Sequence, residues 1–254
     1  EAFLTLTLSF SMSSKPTVDI VIPVLNEQAA IPVCIEALFE HLKMETRYDW
    51  RLVVVDNGST DDTFQVTTDI SKIISNVSCI KLSQRGRGRA IKTAWNKSNA
   101  DVMVYMDVDL STRLDALIPL VKSIYGGSTD ICVGSRLMKN STVMGRTVGR
   151  EITSRGYNLL IDLLFPNNKF SDAQCGFKAV SPKVVDKILP MIRDNEWFFD
   201  TELLLVSQRN LVKIKEIPVH WTDDQDTRVK IIPTIWKDIK GLIRLRFTRQ
   251  PRVL

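Results

Sequence analysis

From Thr17 onward, short β-branched runs alternate with amphipathic stretches, and this alternation constrains the chain more than any other feature. Residues 18–23 precede an amphipathic stretch at 29–43, 51–55 precede 61–75, 79–82 precede 88–97, and 102–106 precede 114–124, with a further apolar run at 130–134. Such a pattern predicts an α/β fold, a Rossmann-like, mostly parallel sheet with helices on both faces. Leu52-Val53-Val54-Val55 is continuously apolar, as a strand buried on both faces requires. The second half is less regular. It predicts a helix over 149–165, a strand over 174–181, a helix starting at 197–206 and a strand over 212–219 broken by Pro218.

With 44% hydrophobic and 25% charged residues the chain is too apolar for a disordered linker, and its apolar runs are too short for a transmembrane helix in the sequence as given. A soluble or peripheral protein is expected. Residues 228–254 carry eight basic side chains against the single acid Asp238, so the net charge of +5 comes from that end alone. An anionic partner is therefore expected there. No repeat or low-complexity linker divides the chain. One domain is expected over 17–227, between a leader at 1–16, set outside the fold because Met12 reads as a natural start, and the basic segment at 228–254. The leader has no basic residue ahead of its apolar stretch and so lacks the pattern of a signal peptide. Cys34, Cys79, Cys132 and Cys175 stand singly, which suits reduced, buried thiols and a cytosolic setting.

In a sheet of this kind ligands bind outside the carboxyl ends of the strands. Polar clusters stand at five such ends: Asn26-Glu27, Asp56-Asn57-Gly58-Ser59, residues 84–89, Asp107-Val108-Asp109 and Ser135-Arg136. Loops are polar anyway, but that does not explain the concentration of acids, glycine and arginine. Asp107 and Asp109, at i and i+2, point to one side of a strand and could share a divalent cation, Mg²⁺ or Mn²⁺; a structural role for the triplet is the alternative. Asp56 ends its strand before a turn in which Ser59 or Thr60 could cap the next helix. Arg85-Gly86-Arg87-Gly88-Arg89 opens a helix in a form suited to a diphosphate at its N-terminus. Three arginines without interleaved aromatics speak against nucleic acid. Arg136, Arg146, Arg150 and Ser154 form a second polar set, the last three at i, i+4 and i+8, and read either as an anion clamp or as a solvated face paired with Glu151.

Taken together, the ordered motifs Pro23-Val24-Leu25-Asn26-Glu27, Val55-Asp56-Asn57-Gly58-Ser59, Arg87-Gly88, Asp107-Val108-Asp109, Gly134-Ser135-Arg136, Gln174-Cys175-Gly176-Phe177-Lys178 and Phe199-Asp200-Thr201-Glu202 resemble a family. It is the inverting nucleotide-sugar glycosyltransferases of the GT-A fold, in the dolichyl- or polyprenyl-phosphate hexosyltransferase branch. The resemblance runs from about residue 18 to 221. It implies that Pro23, Leu25, Glu27 and Asp56 line the nucleoside pocket, that Arg87 lies near the base or phosphates, and that Asp107, Val108 and Asp109 form the metal-diphosphate site with both carboxylates as ligands. Arg136, Arg150 and Ser154 are implied to meet the acceptor phosphate, with Asp109, Arg136 and Arg150 central to catalysis. Where members of the family often place a further ligand, Gln, two residues after the second Asp, this chain has Ser111.

The activity so implied is metal-dependent transfer of a hexose to a polyprenyl phosphate at the cytoplasmic face of a membrane; transfer to a sugar hydroxyl is the alternative. The segment Gln174–Lys178 looks more like the glucosyl than the mannosyl branch, favouring UDP-glucose over GDP-mannose. A phosphate monoester, with a second pKa of about 6, is mostly dianionic at neutral pH and needs positioning cations rather than a general base. Asp200 and Glu202 remain candidate bases for a hydroxyl acceptor, or acids that favour a helix start. His41 and His220 read as structural. Ile232, Ile235, Trp236, Ile239, Leu242 and Ile243 form a stripe with Lys237, Lys240 and Arg244 away from it, which suits an interfacial helix on anionic lipid or packing against the core.

Overall fold

The apolar runs become strands β1 (Thr17–Val24), β2 (Asp49–Asp56), β3 (Val77–Lys81), β4 (Val102–Met106) and β5 (Ile131–Ser135), joined through helices α1 (Ala30–Leu42), α2 (Thr63–Ile73), α3 (Arg87–Lys97) and α4 (Leu117–Tyr125). Next come β6 (Thr142–Met144), α5 (Val148–Leu164), β7 (Phe177–Val180), α6 (Pro182–Lys187), α7 (Phe199–Arg209), β8 (Ile214–Pro218), β9 (His220–Thr222) and α8 (Ile231–Phe247). This computed structural model describes residues 15–223 and 231–248, the side chains of 231–233 excepted. The leader up to residue 14, Arg228, Lys230, Arg249, Arg252 and the side chain of Ile232 lie outside the described residues.

Seven strands form one sheet in the order β3-β2-β1-β4-β7-β5-β8. β1 lies parallel to β2 from Thr17 opposite Asp49 to Val24 opposite Asp56, and parallel to β4 on its other side. Every residue of β4 and β5 is buried, which is why their sequences run apolar without alternation. β7 is antiparallel to both β4 and β5. Its beginning, not its end, therefore lies at the ligand edge, and Gly176 arrives beside Asp107, whose carboxylate occupies the space a Cβ would take. Strands β6 and β9 pair with each other outside the main sheet. At three residues apiece they are too short to leave a periodic signature.

The C-terminal helix α8 packs against α5 and α7. Leu242 and Leu245 are buried, each contributing about 1.5–3 kcal/mol relative to exposure. The expected single stripe is thus divided: Leu242 joins the core, while Trp236, Ile243 and also Phe247 are exposed. Two cations read as facing away from the stripe are held by the body instead. Lys237 pairs with Glu196 at 2.5 Å and Arg244 with Glu202 at 2.8 Å. Only Lys240 of the three lies over an exposed aromatic ring, that of Trp236 at 5.2 Å. Helix α5 exposes an apolar face of its own, Val148, Ile152, Leu159 and Leu163. No helix among the described residues is long and apolar enough to cross a membrane.

Docking of α8 depends on Gly241, where a Cβ would stand 2.5 Å from the Phe198 ring. Gly241→Val is expected to cost about 1–3 kcal/mol in chemical denaturation and to lower amide-exchange protection in α8 while the β1–β4 sheet keeps its own.

Candidate active site

At the end of β4 the chain leaves the sheet through Asp107, Val108 and Asp109, followed by Leu110 at φ +55°. Asp109 is exposed and its Oδ1 accepts from the Ser111 amide at 2.9 Å, while the Ser111 carbonyl accepts from Thr222 at 2.8 Å. Asp107 is reached by Arg87, whose Nη2 donates to Oδ1 at 2.6 Å. The other arm of the same guanidinium, Nη1, donates to Asp200 Oδ2 at 2.6 Å. Asp200 in turn accepts from Lys178 Nζ at 2.7 Å and from the Tyr105 hydroxyl. Lys178, fully buried, also donates to the Cys175 carbonyl at 2.6 Å.

Burial would raise the Asp200 carboxyl, but the charges of Lys178 and Arg87 outweigh it and hold Asp200 below the usual carboxylate range. Burial works against the Arg87 charge as well, and Asp107 and Asp200 overcome it. Glu202 accepts from the Asp194 amide at 2.7 Å, the Arg193 amide at 3.2 Å and Arg244. Both acids of the α7 start are held by structural partners as buried, ion-paired carboxylates, and Asp200 also borders the cavity described below.

The diphosphate cradle expected at the start of α3 is corrected. The amides of Gly88 and Arg89 donate to the carbonyls of Glu196 at 3.2 Å and Asn195 at 3.0 Å. A Cβ on Gly88 would stand 2.5 Å from Phe199 Cβ. These glycines admit a loop of the protein, and what the segment offers to the site is the Arg87 side chain.

On the other flank of the sheet edge, the loop after β1 and the turn after β2 are fastened together. Asn26, at φ +57°, accepts from the Thr60 amide at 2.8 Å and donates its own amide to Ser59 Oγ at 2.9 Å. The Glu27 amide donates to Thr63 Oγ1 at 2.8 Å. Ser59 and Thr60 therefore tie loops rather than cap α2, whose N-cap position is Asp62; Asp61, one residue earlier, accepts from the Thr63 amide at 3.1 Å. Asp56 is fully buried. Its Oδ1 accepts from the Ser59 amide at 2.9 Å, and its Oδ2 has no hydrogen-bond partner among the described residues.

On the Arg87 side of the site a cavity of about 520 Å³ is lined by Arg87, Arg136, Arg150, Ser154, Trp197 and Asp238, among others. Three distant segments meet there: the end of β5, the first turns of α5 and the C-terminal helix. Arg136 forms a bidentate pair with Asp172, Nε to Oδ2 at 2.7 Å and Nη2 to Oδ1 at 2.8 Å, and lies 5.4 Å from the Trp221 ring centre. Arg146 stacks on the same ring at 5.9 Å and pairs with Glu151 at 2.7 Å, while Arg150 pairs with Asp223. Helix α5 starts at Val148 with Thr147 as its cap, so Arg146 falls just before it. Ser154 Oγ is buried and has no partner among the described residues. Pro23, Leu25, Glu27, Asp56, Asp107, Val108 and Asp109 are not in the cavity lining; they belong to the strand ends, and Asp107 is joined to the cavity through Arg87.

Asp172, Asp223, Trp197, Trp221 and Asp238 were not singled out from the sequence as site residues. Asp172 lies 36 residues from Arg136 along the chain, and no local spacing announces such a pair. Burial pushes the Asp238 carboxyl up to about 7, with Asp194 adding to the rise and a hydrogen bond from Gln174 opposing it. Two carboxylates at the end of β4 are what a hard divalent cation needs when waters and substrate phosphates complete its shell. Among the described residues no three His, Cys, Asp or Glu side chains form a full cage.

Strand order, the single reversed strand and a cationic cavity beside an Asp-x-Asp edge define a glycosyltransferase of the GT-A type. The chain belongs to glycosyl transferase family 2, whose model matches residues 19–189. It is 32% identical over 227 residues to Glycosyltransferase AglD of Haloferax volcanii, covering 89% of this chain and 35% of AglD, so it spans about a third of that protein. Dolichyl-phosphate beta-glucosyltransferase of Saccharomyces cerevisiae is 28% identical over 245 residues, covering 89% of this chain and 73% of that one. The human protein of the same name is 27% identical over 263 residues, covering 93% and 78%. Glucosyl-3-phosphoglycerate synthase from Mycobacterium tuberculosis, solved with Mn²⁺, UDP and phosphoglyceric acid, shares the fold at a TM-score of 0.69 and 18% identity, over 93% of this chain and 80% of that one.

Asp172, fully buried behind Arg136, would be raised by burial, but Arg136 overrides it and holds the carboxyl at about 2. Depressed below its unfolded value, this group contributes stability that is present above about pH 4 and lost as pH falls toward 2. Asp172→Asn leaves Arg136 without its buried partner and is expected to cost about 3–5 kcal/mol at pH 7. Urea denaturation should show that gap narrowing as pH is lowered toward 2.

Proposed function

We propose that this glycosyltransferase transfers glucose, with inversion, from UDP-glucose to dolichyl or a related polyprenyl phosphate at the cytoplasmic surface of an anionic membrane. The observation that carries the reading is the convergence of Arg136, Arg150 and the unpartnered Ser154 hydroxyl on one cavity, next to the Arg87-bound end of β4. A phosphate acceptor arrives already ionised. It needs cations and a hydroxyl to hold it, and it needs no base, which agrees with Asp200 and Glu202 being enclosed in ion pairs. The names of the yeast and human relatives support the glucosyl and dolichyl-phosphate assignment.

Asp107 and Asp109 would hold Mg²⁺ or Mn²⁺, which when bound neutralises the diphosphate and favours its departure. Arg87 adds a fixed positive charge at the same edge, and Asp200 aims it. Asp56, with Oδ2 buried and without a partner among the described residues, can accept from a base N–H, while Pro23, Leu25 and Glu27 would complete the nucleoside pocket and Val108 its link to the metal site. Arg136 keeps Nη1 outside its pair with Asp172, and Arg150 stands on the first turn of α5 beside Ser154. The neighbouring synthase was solved with Mn²⁺ and UDP, which supports a uridine donor over GDP-mannose.

Exposed apolar side chains on α5 and α8 border the two helices that form the cavity wall, so a lipid-linked phosphate could enter without its chain leaving the bilayer. Trp236→Ser with Phe247→Ser is expected to weaken binding to anionic vesicles in flotation assays, whereas Lys237→Glu and Arg244→Glu, which break pairs with the body, should show up as loss of stability.

The deciding assay gives purified enzyme UDP-glucose or GDP-mannose, with dolichyl phosphate or free saccharides as acceptor. Glucosyl-phosphate lipid formed only with divalent cation is the expected product, and product with saccharides alone would overturn the assignment. Asp109→Asn should retain the melting temperature while losing metal affinity and transfer by at least about 10- to 100-fold.

A further inference from the structure

The cavity contains a second buried atom whose hydrogen bonding is incomplete, on an element beyond the segment that matches the family. Asp238 projects from α8, is 2% exposed, and lines the cavity together with Arg87, Arg136 and Arg150. Its Oδ2 accepts from Gln174 Nε2 at 2.8 Å, and its Oδ1 has no partner among the described residues. Gln174 lies two residues before Gly176, the residue pressed against Asp107. Gln174 therefore links the end of β4 to the C-terminal helix across the cavity.

A buried carboxylate with one oxygen unmatched is costly, and burial together with the charge of Asp194 pushes this group up to about 7. An apolar side chain in its place would pack without that cost. The chemistry that satisfies such an oxygen is a hydroxyl donor. Of the parts of the two substrates, an isoprenoid chain offers no donor, and a phosphate that arrives ionised offers none either. The hexose is a cluster of hydroxyls.

We propose that Asp238, oriented by Gln174, accepts hydrogen bonds from hydroxyls of the hexose being transferred, so that a residue of the C-terminal helix determines sugar specificity. The proposal rests on a nucleotide hexose being the donor. It makes Asp238 a binding residue with no part in the proton chemistry, and it makes Gln174 the positioning residue.

The test measures kcat/KM for UDP-glucose and for its 2-, 3-, 4- and 6-deoxy analogues, and the Kd of UDP alone, in wild type, Asp238→Ala, Asp238→Asn and Gln174→Ala. Asp238→Ala is expected to lose about 10- to 100-fold in kcat/KM with UDP-glucose and to bind UDP within about twofold of wild type. With at least one deoxy analogue, already poor for the wild type, it should lose nothing further. Asp238→Asn, which keeps an acceptor oxygen of the same shape, should fall between, and Gln174→Ala should change the same analogue preference. An equal loss with UDP-glucose and every analogue, or an equal loss of UDP binding, would overturn the proposal while leaving the donor assignment intact. A wild type inactive with every UDP- and GDP-hexose would overturn the donor reading and this proposal with it.

Discussion

The Arg87 guanidinium, gripped between Asp107 and Asp200 at 2.6 Å each, is the interaction on which the rest of the site depends. Removing a charge from a buried network leaves its partners uncompensated and costs about 3–5 kcal/mol, so the geometry is defended by stability as well as by function. Four parts of the fold contribute: α3 supplies the arginine, the end of β4 one acid, the start of α7 the other, and β7 the buried Lys178 that fixes the second acid. Trp197 and Tyr105 flank the guanidinium, their ring centres 5.0 and 5.2 Å from its carbon, and the buried pair with Asp200 is the more strongly held of the two, since the Asp107 side chain is 44% exposed.

Much of this was legible in the sequence. Four strand-helix alternations and a fifth apolar run predicted strands β1 to β5 to within about two residues, because strands buried on both faces need unbroken apolar runs and amphipathic helices declare their period. Asp107 and Asp109 stood out because two acids at i and i+2 after such a run have few structural excuses. Reversal of β7 was invisible, since four buried residues read alike in either direction. So was every long-range pair: Asp172 for Arg136, Asp223 for Arg150, Asp200 for Arg87. The Arg-Gly-Arg-Gly-Arg segment misled for a physical reason. Glycine permits close approach of any backbone, and here the approaching group is the protein's own loop at 195–196. The stripe in α8 misled in part, since a helix that is apolar on one face cannot announce how much of that face the core will cover.

Reversal of β7 also explains the division of the cavity wall. Because this strand enters the sheet at the ligand edge, the segment ahead of it, from Asp172 to Gly176, passes through the site instead of behind it. In so short a stretch the chain orients Arg136, reaches α8 through Gln174 and makes room for Asp107. A parallel strand at the same place would have put only its last residue within reach.

The loop between α6 and α7 has a mechanical consequence. The Glu196 carbonyl takes the Gly88 amide at the start of α3, the Glu196 carboxylate holds Lys237 of α8, Trp197 covers Arg87, and Phe198 fills the space left by Gly241. Four consecutive residues, 195–198, thus touch the element that presents Arg87 and the helix that walls the cavity. A ligand that shifts this loop from one side shifts the other by the same free energy, because linkage between two sites is reciprocal. The pose of Arg87 and the pose of the C-terminal helix are in that sense coupled through one short loop.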